Sequence, residues 1–272
     1  MDFIIEGLPV MRTSSNRPGW ARPRGLCAAM AAAGALALSS AARADIDWNS
    51  ADWGGFSPNA LSYWSYRDMS DRSARKVLEL STKRSSRGKS SKAPAHQPSA
   101  LSTAGNVAAS GAFVDERGIE QLARLYPRDQ FQARKKQYTL IVQSFNQSVR
   151  KLYGLPSNNL ATGMAVVAAG AYSAYHNQRF PDAWVRPLYQ QMKELLLQDP
   201  RVSQRPAAQK AVDYQVMVGT GMAMMLAQAE LEKAPNADTR AQLRRAGAET
   251  LRTLFQADPG SVTFTSAGLK AR

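Results

Sequence analysis

Few side chains in this 272-residue sequence have the chemistry of a catalytic acid, base or nucleophile. It contains two histidines, His96 and His176, and one cysteine, Cys27. His176 closely follows Tyr172 and Tyr175, so one interpretation makes it a base beside tyrosines. The favoured interpretation places it at a helix C-terminus, where the dipole stabilises the imidazolium, because no carboxylate or hydroxyl partner stands at a fixed spacing. The sequence therefore predicts no catalytic residue.

Two partial motifs match known chemistry without completing it. The range Ser148–Lys151 fits the Ser-x-x-Lys pattern of penicillin-interacting enzymes, but the companion Ser-x-Asn and Lys-Thr-Gly elements are missing. Asp45, Asp47 and Asn49 occupy positions one, three and five of a calcium-loop pattern. Position twelve, which needs a bidentate glutamate, is Phe56. The sequence therefore predicts no metal site and no cofactor.

The N-terminal stretch has the pattern of an export signal. An alanine-rich apolar run follows a cationic leader and ends in a small-x-small pattern at Ala42-Arg43-Ala44, so we predict cleavage between Ala44 and Asp45. The run is shorter than the roughly 20 apolar residues that a membrane-spanning helix needs. Residues 1–44 are therefore predicted to be a signal peptide. Translation from Met11 instead of Met1 stays an open alternative.

Export has consequences for the chemistry of the mature chain. Cleavage removes Cys27, so the mature chain would have no disulfide and no thiol, and it would reside in the periplasm or the medium. It would keep 30 basic against 19 acidic residues, a net charge of +11. Such a surplus favours anionic partners such as envelope glycolipid or an anionic polymer, with solubility as the alternative explanation. Specific nucleic-acid binding is not predicted.

The mature chain divides into an arm and a folded domain. Residues 45–113 begin with aromatic side chains and continue into a basic, low-complexity stretch, which we expect to be largely disordered. The aromatic side chains could bind sugar rings or a partner, or pack back on the domain. The aromatic residues are Trp48, Trp53, Phe56, Tyr63, Trp64 and Tyr66.

From residue 114 to residue 272 helical periodicity recurs between breakers, and strand signals are nearly absent. The sequence therefore predicts an all-α domain, an antiparallel bundle of about five to six helices without a membrane span. The predicted helices are Gly118–Tyr126, Arg128–Tyr153, one from Ser157 or Asn158 to about Tyr175, one within Pro187–Gln198, Ser203–Lys233 and Asp238–Phe255, before an extended tail.

The third predicted helix is apolar on nearly every side, which places it at the centre of the bundle. Gly163 and Gly170 lie on one of its faces, where a neighbouring backbone could approach closely. Gly219 and Gly221 lie inside the fifth predicted helix and are interpreted as packing positions.

The stretch LYGLPSNNLATGMAVVAAGAYSAYHNQ and the later QKAVDYQVMVGTGMAM resemble a family of uncharacterised exported proteobacterial proteins, known only as a domain of unknown function. The resemblance covers about Tyr126 to Leu269. Its signature is the turn Tyr153-Gly154-x-Pro156 before the helix start Asn159-x-Ala161. The resemblance implies a helical domain behind a signal peptide and a spacer, and it brings no activity.

These observations favour an exported, non-enzymatic helical module that binds a protein or an anionic cell-envelope partner. The alternative is a periplasmic hydrolase acting on cell-wall or polysaccharide material. The two hypotheses differ in one structural requirement. A hydrolase needs a concave pocket in which ionisable groups converge, around Tyr172, His176 or Asp213.

Overall fold

Helices dominate the part of the chain that the structure describes. The structure is a computed structural model, and it describes residues 115–271. These residues form seven helices and a terminal hairpin, so the predicted all-α bundle is confirmed. In chain order the elements are α1 Arg117–Ala123, α2 Phe131–Tyr153, α3 Leu160–His176, α4 Asp182–Leu197, α5 Pro200–Gln204, α6 Ala207–Lys233, α7 Ala237–Phe255, β1 Val262–Thr265 and β2 Gly268–Ala271. The predicted signal peptide, its cleavage point and the arm lie outside the described residues.

Several helices begin or end at other residues than the sequence predicted, and two of these differences involve proline. Helix α4 begins at Asp182 and carries Pro187 in its interior, so the predicted start at Pro187 was wrong. The single helix predicted from Ser203 is divided, because the residue before a proline avoids the helical region, and Arg205 before Pro206 is extended. α1 ends at Ala123 instead of Tyr126.

Side-chain capping explains two further corrections. The third helix was expected to be capped by Ser157 or Asn158, but its cap is Asn159. The sixth predicted helix was expected to be capped by Asp238, but the Asn236 side chain accepts the hydrogen bond from Thr239 N, at 2.9 Å. Asparagine satisfies a free amide of the first helical turn in both cases.

Helix α3 is the centre of the bundle, as its sequence predicted. Every residue from Leu160 to Ala174 is buried. α3 contacts α4, α6 and α7, so neighbouring helices surround it on several sides. Helix α1 is tied to this centre through α6, since Gly118 N donates to Gln215 Oε1 at 3.1 Å.

Glycine lets two neighbours approach the backbone of α3. A Cβ atom at Gly170 would lie 2.8 Å from Gly221 Cα of α6. A Cβ atom at Gly247 of α7 would lie 2.6 Å from the carbonyl oxygen of Ala171. Real Cβ atoms essentially never come so close, so these contacts require glycine. Gly163 differs, because its nearest neighbour is the Met217 side chain. The interpretation of Gly170 and Gly221 as packing positions is confirmed.

The extended tail is a β-hairpin that packs against α4. β1 and β2 are antiparallel, with Phe264 opposite Leu269. The side chain of Gln191 in α4 accepts from Leu269 N at 2.6 Å and donates to Leu269 O at 3.2 Å. The amide of Gln191 therefore completes the outer edge of β2. No helix of the described residues is both long and apolar enough to cross a membrane.

Replacing Asn159 with alanine should destabilise the domain by about 1 kcal/mol. Asn159 Oδ1 accepts from Ala161 N at 2.9 Å and from Thr162 N at 3.3 Å, and both amides are buried. Urea unfolding followed by circular dichroism measures the loss. The control is Asn177→Gly, because Asn177 has a φ of 52° in the left-handed region that glycine adopts freely. Equal stability of Asn159→Ala and the wild type would contradict the role of this cap.

Candidate functional site

A cleft between α2, α3, α4 and α6 is the candidate functional site. Its enclosed cavity volume is about 50 Å³, and about 700 Å³ when the open space at its mouth and between its side chains is included. The residues that line it are Phe145, Val149, Tyr153, Leu155, Ala165, Val166, Ala169, Ser173, Arg179, Phe180, Asp182, Val185, Leu188, Met225, Gln228 and Ala229. Most of these side chains are apolar, which is typical of sites for small molecules.

Small side chains of the central helix make room for the cleft. Ala165 and Ala169 line it from α3, and Ala229 lines it from α6. Larger apolar side chains also line it, such as Phe145 from α2 and Leu188 from α4. Alanine in the helices thus leaves space at a position where larger residues would close the core.

The polar wall of the cleft joins α2 to α4. Tyr153 Oη donates to Asp182 Oδ1 at 2.7 Å, and Arg186 Nε donates to the Tyr153 carbonyl at 2.9 Å. Gly154, in the left-handed region with a φ of 65°, ends α2 beside this arrangement. The predicted Tyr153-Gly154-x-Pro156 turn therefore positions the tyrosine at the cleft.

The basic residue of the cleft is held by an ion pair. Arg179 lies between α3 and α4, and its Nε donates to Glu232 Oε2 of α6 at 2.8 Å. Arg179 and Asp182 each have a partner within the protein, so the ionic groups of the lining already have compensating interactions.

Gln228 is the polar residue of α6 in the cleft. It is 3% exposed, and its Oε1 atom has no hydrogen-bond partner among the described residues. A buried acceptor without a partner costs about 1–3 kcal/mol of stability. Because Gln228 lines the cleft, a donor on a ligand bound there is a candidate for the missing partner of this atom.

Tyr172 and His176 lie in an aromatic cluster outside the cleft lining. The ring of Tyr172 is 4.3 Å from that of His176 and 5.2 Å from that of Phe264, measured between centroids. Burial raises the pKa of Tyr172. Burial also lowers the pKa of His176, and Arg244 lowers it further. The predicted position of His176 at the end of a helix is confirmed. The helix dipole was expected to stabilise the charged imidazolium, but burial and the nearby Arg244 disfavour it more strongly.

Asp213 lies in the N-terminal part of α6. It is 5% exposed, forms an ion pair with Arg205, and accepts from Gln209 Nε2 at 2.9 Å. Burial raises the pKa of Asp213 despite these partners. None of Tyr172, His176 and Asp213 lines the cleft.

The other residues with possible chemistry also lie outside the cleft. Ser148 and Lys151 do not line it, and Lys151 is exposed at the end of α2. His96 and the partial calcium pattern at Asp45 fall outside the described residues. Within residues 115–271 no group of histidine, cysteine, aspartate and glutamate side chains could hold a metal ion.

Helix α7 is basic, with four arginines against Asp238 and Glu249. Arg240, Arg244, Arg245 and Arg252 are exposed. Arg244 stacks over Tyr175, with its Cζ atom 5.4 Å from the ring centroid. The others have no acidic partner among the described residues, in contrast to the arginines that are paired elsewhere, such as Arg201 with Asp199. α7 therefore presents unneutralised positive charge to its surroundings.

The fold and cleft define a class of protein: a helical bundle with an apolar cleft beside its central helix. The chain belongs to the family of unknown function DUF6683, whose model matches residues 27–272. The match is wider than the predicted Tyr126–Leu269, because it also includes the arm and residues 27–44 of the predicted signal peptide. No curated protein and no solved structure gives a significant match.

No sequence motif marks Gln228, Arg179 or Asp182 as members of one site. Gln228 stands between two alanines in an apolar helix, and a single amide there is a weak signal of a buried acceptor. Arg179 and Asp182 flank the turn before α4, where charged residues are ordinary. Their proximity to Tyr153 and Glu232 depends on how the helices pack.

Proposed function

We propose that this protein is an exported, non-enzymatic helical module that binds an anionic component of the cell envelope through the exposed arginines of α7. The observation that carries the proposal is the group of Arg240, Arg245 and Arg252, which have no acidic partner among the described residues. Unneutralised arginine on one helix attracts phosphate and carboxylate groups, which it can bind with two parallel hydrogen bonds.

The sequence supports the same proposal. The pattern before Asp45 is that of an export signal, and the mature chain would keep its surplus of basic residues. A module with such charge outside the inner membrane would meet anionic lipids and polymers. The hydrolase alternative has less support, because Tyr172, His176 and Asp213 do not converge on the cleft.

Binding of the mature chain to phosphatidylglycerol vesicles tests the proposal. We expect saturable binding that weakens as salt is raised, and little binding to phosphatidylcholine vesicles. Replacing Arg240, Arg245 and Arg252 together with glutamine should weaken binding roughly 100-fold at low salt, since each arginine near an anionic surface contributes about 1 kcal/mol. Co-sedimentation over a range of lipid concentrations gives the affinities.

A second triple variant provides the matched control. Arg117, Arg124 and Arg201 are exposed, and each has an acidic partner in the structure. Their replacement with glutamine removes the same net charge but should change binding far less. Equal weakening by both triple variants would show that total charge governs binding, and would contradict a role for α7.

A further inference from the structure

We propose that the cleft between α2, α3, α4 and α6 binds an uncharged ligand with an apolar chain and an amide or hydroxyl head that hydrogen-bonds to Gln228. This site is separate from the arginines of α7, so it adds a second binding activity to the proposed function. Three observations support this second site: the shape of the cleft, the pairing of the charged side chains in its lining, and the Oε1 atom of Gln228, which has no hydrogen-bond partner among the described residues.

The shape of the cleft suits an elongated ligand. Along α3 its lining runs from Ala165 to Ser173, and along α2 from Phe145 to Tyr153. At a rise of 1.5 Å per residue, each of these walls is about 12 Å long. The walls are mostly aliphatic and aromatic, so a chain of methylene groups would gain from leaving water there.

The charges of the lining favour an uncharged ligand. Arg179 is bound to Glu232, and Asp182 accepts from Tyr153. An ionic ligand would have to compete with these interactions and would lose hydration among apolar side chains. A neutral chain avoids both costs.

Gln228 specifies the head of the ligand. Its Oε1 atom is buried and has no donor among the described residues, so a ligand N–H or O–H would supply the missing hydrogen bond. A ligand amide or hydroxyl group carries both a donor and an acceptor, which suits the two ends of a glutamine amide. The preferred ligand class is therefore a fatty amide or a fatty alcohol.

Calorimetry with decanamide and methyl decanoate tests this assignment on the full mature chain. The two compounds have the same apolar chain, but only decanamide can donate a hydrogen bond. We expect saturable binding of decanamide by the wild type and about tenfold weaker binding of methyl decanoate, which corresponds to one net hydrogen bond. Gln228→Leu should reduce decanamide affinity about tenfold and leave methyl decanoate binding unchanged.

Controls separate the cleft from unspecific binding. Gln190 is exposed on α4 and does not line the cleft, so Gln190→Leu should bind decanamide as the wild type does. In the wild type, decanamide should shift the methyl resonance of Met225, a lining residue, which tests the location without any substitution. Absence of saturable binding, an unshifted Met225 methyl, or full decanamide affinity in Gln228→Leu would each overturn the proposal.

Discussion

Replacing Gly170 with alanine should destabilise the domain by about 2 kcal/mol, even though alanine is the better helix former. The new Cβ atom would lie 2.8 Å from Gly221 Cα, so α3 and α6 would have to separate along their contact. Overpacking of a core costs typically 1–3 kcal/mol or more. The gain in helix propensity, about 1 kcal/mol, offsets only part of this cost. Urea unfolding followed by circular dichroism measures the change.

Gly163→Ala is the matched control in the same helix. There the added Cβ atom would meet side chains only, namely Met217, with Cε at 3.0 Å and Cβ at 3.2 Å, and the ring of Tyr214 at 3.3 Å. The end of a flexible methionine can move away, and the other two contacts need shifts of only a few tenths of an ångström. The free energy of unfolding of Gly163→Ala should stay within about 1 kcal/mol of the wild-type value. The higher helix propensity of alanine stabilises the variant, and crowding of the new Cβ atom destabilises it by a similar amount. Equal losses in both variants would contradict the importance of the close backbone contact at Gly170.

Replacing Arg205 with methionine should destabilise the domain by about 3 kcal/mol at neutral pH. Arg205 and Asp213 form an ion pair in which their side chains are 14% and 6% exposed. Removal of the arginine would leave a buried carboxylate with Gln209 as its remaining partner. The cost arises from the uncompensated charge, and chemical unfolding at pH 7 measures it.

The pH dependence of this loss has a definite sign. The pKa of Asp213 is raised in the folded protein, so its contribution favours folding at low pH and is lost as the pH rises through the folded pKa. Without Arg205 that pKa should rise further. The deficit of Arg205→Met should therefore shrink as the pH falls from neutral towards the folded pKa of Asp213, where the carboxyl group becomes neutral. A deficit independent of pH would contradict this explanation.

A double variant separates charge from packing. Arg205→Met combined with Asp213→Leu removes both charges and keeps apolar volume, and such replacements of buried pairs are often neutral or stabilising. We expect the double variant to recover most of the stability lost in Arg205→Met. If the double variant were less stable than Arg205→Met alone, the ion pair could not be the origin of the loss.

The position or the end of a helix was predictable wherever a short stretch of sequence was sufficient to determine it. The continuous apolar sequence of Leu160–Ala174 was sufficient to place α3 in the centre. Gly154 and Pro156 marked the end of α2 correctly. Prediction failed at Pro187, because this proline lies inside α4 although it cannot donate a backbone hydrogen bond there.

The candidate site could not be predicted, because its residues are brought together by packing between helices. Tyr153 meets Asp182, and Arg179 meets Glu232, only when α2, α4 and α6 surround α3. Periodicity identifies which side of each helix is buried, but it does not give the rotation and spacing that leave a cleft open. Tyr172 and His176, whose residue types suggest chemistry, do not line the cleft.

The position of the hairpin has a consequence for how the molecule is made. Gln191 binds Leu269 across 78 residues of sequence, and Gly118 binds Gln215 across 97. Contacts between such distant residues slow folding compared with bundles of local contacts. While a ribosome still holds the hairpin residues, α4 lacks the β-strand that binds Gln191. The domain therefore reaches its final form only after the hairpin itself has been released.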